Sequence, residues 1–383
     1  MKKKLFIYTF GCKINQYESQ VIREKYILES YIIVDKIELA DVIIINSCSV
    51  TNHADKQCNQ LIKKILLNNP ITKIILTGCY AKVSCKQILQ EFPDIIIKTK
   101  DEMLEGLNQE IKSFDNHSRA FLKIQDGCNS FCSYCIIPYA RSKMWSKPVE
   151  NIIAEINNLI DNGYVEIVLT GIHIGKYDSG ISYLLSQIFK NIKKDFRIRL
   201  SSIEINEINN DLIKLMKQEP IRLCNHLHIP LQSGSDKILK DMNRKYTSKD
   251  FSEKLINLKT YFPDISITTD VICGFPTETL QDFADTYMFL EENEFSRLHV
   301  FPYSKRNGTK AFDLTKVYDN GDLKPRVDKL LKLDVILRNN YHLKFIGTKR
   351  KAVPLRNRQA LTDNYLTIKN VDRQEGIFDV IVG

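Results

Sequence analysis

Ala120-Phe-Leu-Lys-Ile-Gln-Asp-Gly-Cys-Asn-Ser-Phe-Cys-Ser-Tyr-Cys135 is an apolar, strand-like run that ends in three cysteines, Cys128, Cys132 and Cys135, spaced C-x3-C-x2-C. Three thiolates ligate three irons of a four-iron cluster and leave the fourth open. Clusters used only for electron transfer normally take four thiolates, so the missing ligand is a substrate or a cofactor. A zinc knuckle short of its fourth ligand, or a chance group of core thiols, leaves the spacing unexplained.

Outward from this loop, apolar runs recur at 121–125, 166–170, 197–200, 226–231, 265–272 and 297–301, with helical segments between them. Strands alternating with helices indicate parallel β/α units, and six of them predict a partial (β/α)6 barrel. Active residues then gather at the carboxyl ends of the strands, where the cysteine loop lies. Upstream of the polar stretch 98–118 stand three more strand-like runs, 3–10, 41–47 and 73–77, separated by segments such as 52–67 with helical periodicity. Each is followed at once by a cysteine: Cys12, Cys48 and Cys79. The strand ends of a parallel sheet open onto one crevice, so these three thiols can converge into a second three-thiolate site. Cys58, Cys85 and Cys224 lie within or beside helical segments and read as packing residues. The last segment begins with a basic run, Lys349, Arg350, Lys351, Arg356 and Arg358, read as a solvated face, and ends in strand-like runs at 365–368 and 377–382. The fold class is α/β: an open-sheet domain over 1–113, the barrel over 114–345 and a small β module over 346–383.

Composition agrees with a reducing compartment. Ten cysteines without a secretory signal point to metal ligation in the cytoplasm, because an oxidising compartment would pair them. The apolar stretch after Met1-Lys-Lys-Lys is too short for a secretory core and reads as a first strand, and no segment has the length and apolarity of a membrane span. A net charge of +9, from 55 Lys and Arg against 46 Asp and Glu, suits a polyanionic partner. The joint richness in Ile, Lys and Asn, typical of AT-rich genes, accounts for part of it.

The two cysteine sets, in this order, resemble the radical S-adenosylmethionine (SAM) methylthiotransferase family, which modifies tRNA or a ribosomal protein, and the likeness covers nearly the whole chain. Within the family, Gly11-Cys-Lys-Ile-Asn-Gln-Tyr-Glu-Ser19 and Asn46-Ser-Cys-Ser-Val-Thr-Asn-His-Ala-Asp-Lys-Gln57 resemble the branch acting on N6-threonylcarbamoyladenosine. So do Cys135-Ile-Ile-Pro-Tyr-Ala-Arg141, Leu169-Thr-Gly-Ile-His-Ile-Gly175, Leu200-Ser-Ser-Ile-Glu204, His228-Ile-Pro-Leu-Gln-Ser-Gly-Ser235 and Val300-Phe-Pro-Tyr-Ser-Lys-Arg-Asn-Gly-Thr309. The isopentenyladenosine branch carries Gln-Met-Asn and Ser-Ile-Arg-Glu-Lys after its first two cysteines, where Lys13-Ile-Asn15 and Ser49-Val-Thr51 stand here. The branch modifying a ribosomal-protein aspartate matches less well. The chain departs from the family at Thr277, a common glycine position, and in a short C-terminal segment, 346–383, that resembles a truncated RNA-binding TRAM module around Leu361-Thr-Asp-Asn-Tyr365.

The resemblance implies two [4Fe-4S] clusters, an auxiliary one on Cys12, Cys48 and Cys79 and a SAM-binding one on Cys128, Cys132 and Cys135. It implies reductive cleavage of SAM to a 5′-deoxyadenosyl radical, which an unactivated adenine C2 requires, and delivery of methylthio to that carbon. Tyr134, Gly171, Ser201, Ser202, Glu204 and Gln232 are candidates for SAM contacts, at the cysteine loop or at strand ends. A threonylcarbamoyl group carries a carboxylate, so its pocket needs a cation; Lys13 and Arg141 are the candidates. The expected partners are tRNA, an electron donor such as flavodoxin or ferredoxin, and a sulfur donor. A non-catalytic iron–sulfur RNA-binding module is the competing class, and the intact cysteine sets in both domains argue against it.

Overall fold

The computed structural model describes residues 2–105, 110–114, 118–373 and 375–383. The expected join over 98–118 therefore has residues 106–109 and 115–117 outside the described residues, and the expected boundary at 113/114 falls between them.

In the N-terminal unit β1 (Lys4–Thr9), β2 (Ile32–Ile33), β3 (Val42–Ser47), β4 (Lys73–Thr77) and β5 (Ile96–Ile97) form a parallel sheet in the order β2-β1-β3-β4-β5. Three of these are the expected runs. The two-residue edge strands are too short to carry a periodic signal. β3 is buried along its whole length, as a central parallel strand covered on both faces must be. Helices α1 (Lys13–Leu28), α2 (Asn52–Asn68) and α3 (Gly78–Val83) follow β1, β3 and β4 closely, so the residues at those strand ends also sit at helix starts.

The central unit contains β6 (Ala120–Asp126), β7 (Trp145–Ser146), β8 (Glu166–Gly171) and β9 (Arg197–Leu200) in the order β7-β6-β8-β9, then β10 (His226–His228), β11 (Ser266–Cys273) and β12 (Arg297–Pro302) side by side. All six expected strands pair in parallel, and a bridge from Ser202 to His228 joins the two groups into one curved wall. Only β7, a two-residue antiparallel edge, was not legible in the sequence.

The wall stays open between β6 and β12, and the N-terminal unit spans that gap. On the β6 side α1 packs into the same apolar core as the barrel, with Leu5, Tyr17, Val21 and Ile22 beside Leu122, Ile124 and Ile156. On the β12 side Asn52 N donates to Ser304 Oγ at 2.9 Å, and Arg306 reaches Ser49 Oγ at 2.7 Å and Asp55 at 2.7 Å. Each fully buried aliphatic side chain contributes about 1.5–3 kcal/mol, so a core shared across the join holds the two units as one body.

The C-terminal module is a four-stranded antiparallel sheet, β13 (Lys349–Leu355), β14 (Gln359–Thr362), β15 (Thr367–Lys369) and β16 (Phe378–Ile381), in the order β15-β14-β13-β16. The basic run opens as β13 with Lys349, Arg350 and Lys351, while Arg356 and Arg358 lie in the turn after it. All but Arg350 are exposed, as a solvated face requires, and several pair with nearby aspartates, Lys349 and Lys351 with Asp379, Arg350 with Asp264 and Asp363, and Arg358 with Asp372. The module docks on the barrel wall through Arg197 and Arg199, which donate to the carbonyls of Lys351, Leu361, Thr362 and Asp363. Tyr365 stacks on His226 with ring centroids 4.2 Å apart.

Candidate active site

At the carboxyl ends of β1, β3 and β4 the structure brings Cys12, Cys48 and Cys79 together. Cys12 caps α1 and is exposed, whereas Cys48 and Cys79 are buried. The two glycines that precede cysteines here allow the approach. Gly11, at φ +91°, leaves no space for a Cβ, which would fall 2.6 Å from Cys48 Sγ; at Gly78, φ +92°, it would fall 2.3 Å from the Ser47 carbonyl. Asn15 ties the loops, donating to the carbonyls of Phe10 at 2.9 Å and Ser47 at 3.0 Å, and Asn46 donates back to the Asn15 carbonyl and to Ser19 Oγ.

Arg141 enters this site from the barrel domain. Its Nε lies 3.2 Å from Cys79 Sγ, Nη1 contacts Glu18 at 2.8 Å and Asp126 at 3.0 Å, and Nη2 contacts Asn15 at 2.9 Å and Glu18 at 2.8 Å. The expectation that Arg141 pairs a substrate carboxylate is therefore corrected: it is buried and its fork is already satisfied. Burial pushes the Glu18 and Asp126 carboxyls up, but Arg141 and Lys123 outweigh it and hold both below the usual range. Lys13 differs. It is half-buried at the start of α1, its ammonium 6.0 Å from the Phe121 ring, with no carboxylate partner among the described residues.

The loop after β6 carries Cys128, Cys132 and Cys135. Cys128 Sγ lies 3.6 Å from His173 Nδ1 and accepts from the Ser130 amide at 3.4 Å, and Cys132 Sγ accepts from Arg244 Nη1 at 3.4 Å. Burial raises the Cys128 thiol, yet these hydrogen bonds bring it below its ordinary value. The same contact and one to Glu207 lift His173 to about 9, against burial. For Cys135 and Cys48 burial outweighs the single backbone amides of Ile137 and Val50 that donate to them, and as free thiols they are pushed up to about 12. Two groups of three soft sulfur donors, with N–H groups aimed at the sulfurs, fit iron–sulfur ligation.

Beside Cys132 opens a cleft of about 430 Å³ lined by Ser130, His173, Glu204, Glu207, Arg244 and Tyr246, among others. Glu204 lies on its wall as expected and contacts Arg244 Nη2. The other SAM candidates scatter. Ser201 Oγ is buried without a hydrogen-bond partner, and Gln232 is held at φ 71°, a strained value for a non-glycine residue, by its pairing with β11. Ser202 is taken into the bridge to His228. Tyr134 packs against Ile238, Met242, Phe275 and Ala311, within electrostatic reach of the cleft residues Arg244 and Tyr246, and Gly171 sits where a Cβ would meet Gln125 at 3.0 Å. His173, Glu207 and Arg244 were missed as individuals. Only His173 had a sequence signal, two positions after Gly171 at a strand end.

The radical SAM superfamily model matches residues 122–290, and that of the uncharacterized protein family UPF0004 matches residues 4–98. The radical SAM methyltransferase TsrM from Kitasatospora setae shares the fold, with a TM-score of 0.61 at 10% identity over 82% of this chain and 77% of that one. Residues 122–290 thus form a radical SAM domain, a class that implies a [4Fe-4S] cluster and SAM. Threonylcarbamoyladenosine tRNA methylthiotransferase MtaB of Bacillus subtilis is 39% identical over 91% of this chain and 84% of the relative, and that of Thermotoga maritima 38% over 92% and 86%. A tRNA-2-methylthio-N(6)-dimethylallyladenosine synthase of Thermodesulfovibrio yellowstonii reaches 33% over 86% and 83%. The chain belongs to the MtaB-type tRNA methylthiotransferase family.

Proposed function

We propose that this chain transfers a methylthio group to C2 of N6-threonylcarbamoyladenosine next to the anticodon of tRNA. The observation that carries the reading is the pair of three-cysteine sets at strand carboxyl ends of two sheets, joined through Arg141 from the loop of one to Cys79 of the other. The units 1–113, 114–345 and 346–383 serve as auxiliary-cluster, radical SAM and RNA-contacting parts. Cys128, Cys132 and Cys135 would hold a cluster able to supply an electron to SAM, and Cys12, Cys48 and Cys79 a second one able to supply sulfur.

The chain's own residues bind and shield. Glu204 and Arg244, paired with each other on the cleft wall, would have to exchange that contact to meet the amino and carboxylate groups of SAM, and the partnerless Ser201 hydroxyl offers a further polar contact. Lys13 meets the carboxylate of the threonylcarbamoyl group. The N-terminal unit, lying across the open side of the barrel, keeps water from the radical. Flavodoxin or ferredoxin in the cytoplasm supplies electrons, and a separate donor replenishes sulfur. Among the described residues no helix is long and apolar enough to cross a membrane.

Mass spectrometry of tRNA nucleosides from a deletion strain tests the reading. The 2-methylthio derivative should vanish while N6-threonylcarbamoyladenosine accumulates. Loss of the methylthio derivative of isopentenyladenosine instead would move the chain to the neighbouring branch, and no change in either would direct attention to the ribosomal-protein aspartate.

A further inference from the structure

Outside the cysteine sites, three polar side chains stand together on the inner face of the barrel wall: His228 at the end of β10, Asp270 in β11 and His299 in β12. The parallel register sets Asp270 beside His299 and His228 beside Thr268, while alternate residues Leu227, Ile267 and Leu298 are buried on the outer face. Both imidazoles meet one carboxylate oxygen, His228 Nε2 at 3.3 Å and His299 Nδ1 at 3.2 Å from Asp270 Oδ1. Their rings lie 5.3 Å apart at 25°. Thr268 Oγ1, 2.9 Å from His228 Nδ1 and 3.2 Å from His226 Nε2, fixes the His228 ring from behind.

What the group leaves open suggests its use. Side-chain exposure rises from 12% at His228 to 25% at Asp270 and 35% at His299, so the wall opens toward β12. Asp270 Oδ2 and His299 Nε2 have no hydrogen-bond partner among the described residues. Burial would raise the Asp270 carboxyl, but the two imidazoles hold it well below the usual range, so it is an anionic acceptor. A neutral imidazole that donates from Nδ1 to this carboxylate presents Nε2 as a second acceptor. Burial first, then the Arg199 and His228 charges and last that of Lys13 disfavour protonation of His226, so the Lys13 ammonium bears on the same interior.

We propose that Asp270 and His299, positioned by His228, read the threonylcarbamoyl substituent: Asp270 accepts from its ureido N–H groups, His299 Nε2 from its hydroxyl, and Lys13 takes its carboxylate. This deepens the proposed function and rests on it. The isopentenyl group offers only carbon beyond N6, so its entry would strip water from the carboxylate and imidazole without replacing the hydrogen bonds. Sites built for polar partners reject analogues lacking them by large factors for this reason.

The test uses the full chain, reconstituted anaerobically, with anticodon stem-loop RNAs bearing either nucleoside. Asp270→Asn preserves shape but spoils the acceptor. It should raise KM for the threonylcarbamoyl RNA by about tenfold or more with a smaller change in kcat. His299→Leu should narrow the preference between the two RNAs, and His299→Gln, which restores an acceptor, should recover part of it. Iron content and melting midpoint at wild-type values certify each variant. Unchanged KM and preference in such variants would overturn the assignment, as would a stoichiometric divalent metal, beyond cluster iron, that elemental analysis finds in the wild type and loses in His299→Leu. A wild-type enzyme preferring the isopentenyl RNA would instead sink the functional reading itself.

Discussion

Six residues beyond Cys135, Arg141 links the radical SAM loop to the auxiliary site, and it does so from a fully desolvated position. Removing one member of a buried ion pair costs about 3–5 kcal/mol, because the remaining charge loses both water and partner. Arg141→Met should therefore lower the denaturation midpoint sharply. Adding Glu18→Gln, which removes one stranded carboxylate, should recover part of the loss, and a double variant no better than the single one would show that the pairing is not what holds the join. The cysteines divide differently. Cys132→Ala should abolish reductive SAM cleavage, while Cys48→Ala should spare cleavage and block methylthio transfer; equal loss of cleavage in both, in folded protein, would contradict separate roles.

Among elements, the barrel strands carry unusual internal charges. Glu166 in β8 is fully buried between Arg197 and Arg199 of β9, with Arg119 alongside, and the two strand arginines hold the carbonyls of the C-terminal sheet. Burial raises the Glu166 carboxyl, but Arg199, Arg197 and Arg119 outweigh it and set it well below its ordinary 4.5. A depressed carboxyl contributes stability that is present above the unfolded value and lost as pH falls through the folded one. Docking of the C-terminal sheet should thus survive at pH 5 and fail only in acid well below 4.5, read by limited proteolysis or hydrogen exchange across the β13–β16 segment. Glu166→Gln should release the sheet already at neutral pH.

At the scale of the whole molecule, two spatially separate three-cysteine sets predict two clusters. Anaerobic reconstitution should approach about eight iron and eight sulfide per chain. Saturation at about four, with Cys12→Ala leaving that number unchanged, would remove the auxiliary cluster. The charge distribution also bears on tRNA. The chain carries a net +9, yet the basic strand of the C-terminal module spends most of its cations on neighbouring aspartates. Phosphate binding then has to be shared with the barrel and the N-terminal unit, and neutralising any one phosphate-binding cation should reduce the salt slope of tRNA binding by about one.

The sequence alone determined the strand–helix alternation, the six barrel strands and both cysteine sets, because apolar periodicity and ligand spacing are local properties written over a few residues. It also determined that Cys12, Cys48 and Cys79 stand at strand ends, since each follows its apolar run directly. Tertiary structure decided the rest. That Arg141 serves Glu18, Asp126 and Cys79 rather than a ligand depends on residues up to 123 positions away, and a guanidinium in sequence is the same whether its partner is a substrate or a buried carboxylate. That the basic run from Lys349 is exposed was legible, but its pairing was not, because the aspartates lie on another strand and across the join to the barrel. His228, Asp270 and His299 form one site only because parallel pairing brings three strands into register, a long-range arrangement that no local spacing encodes.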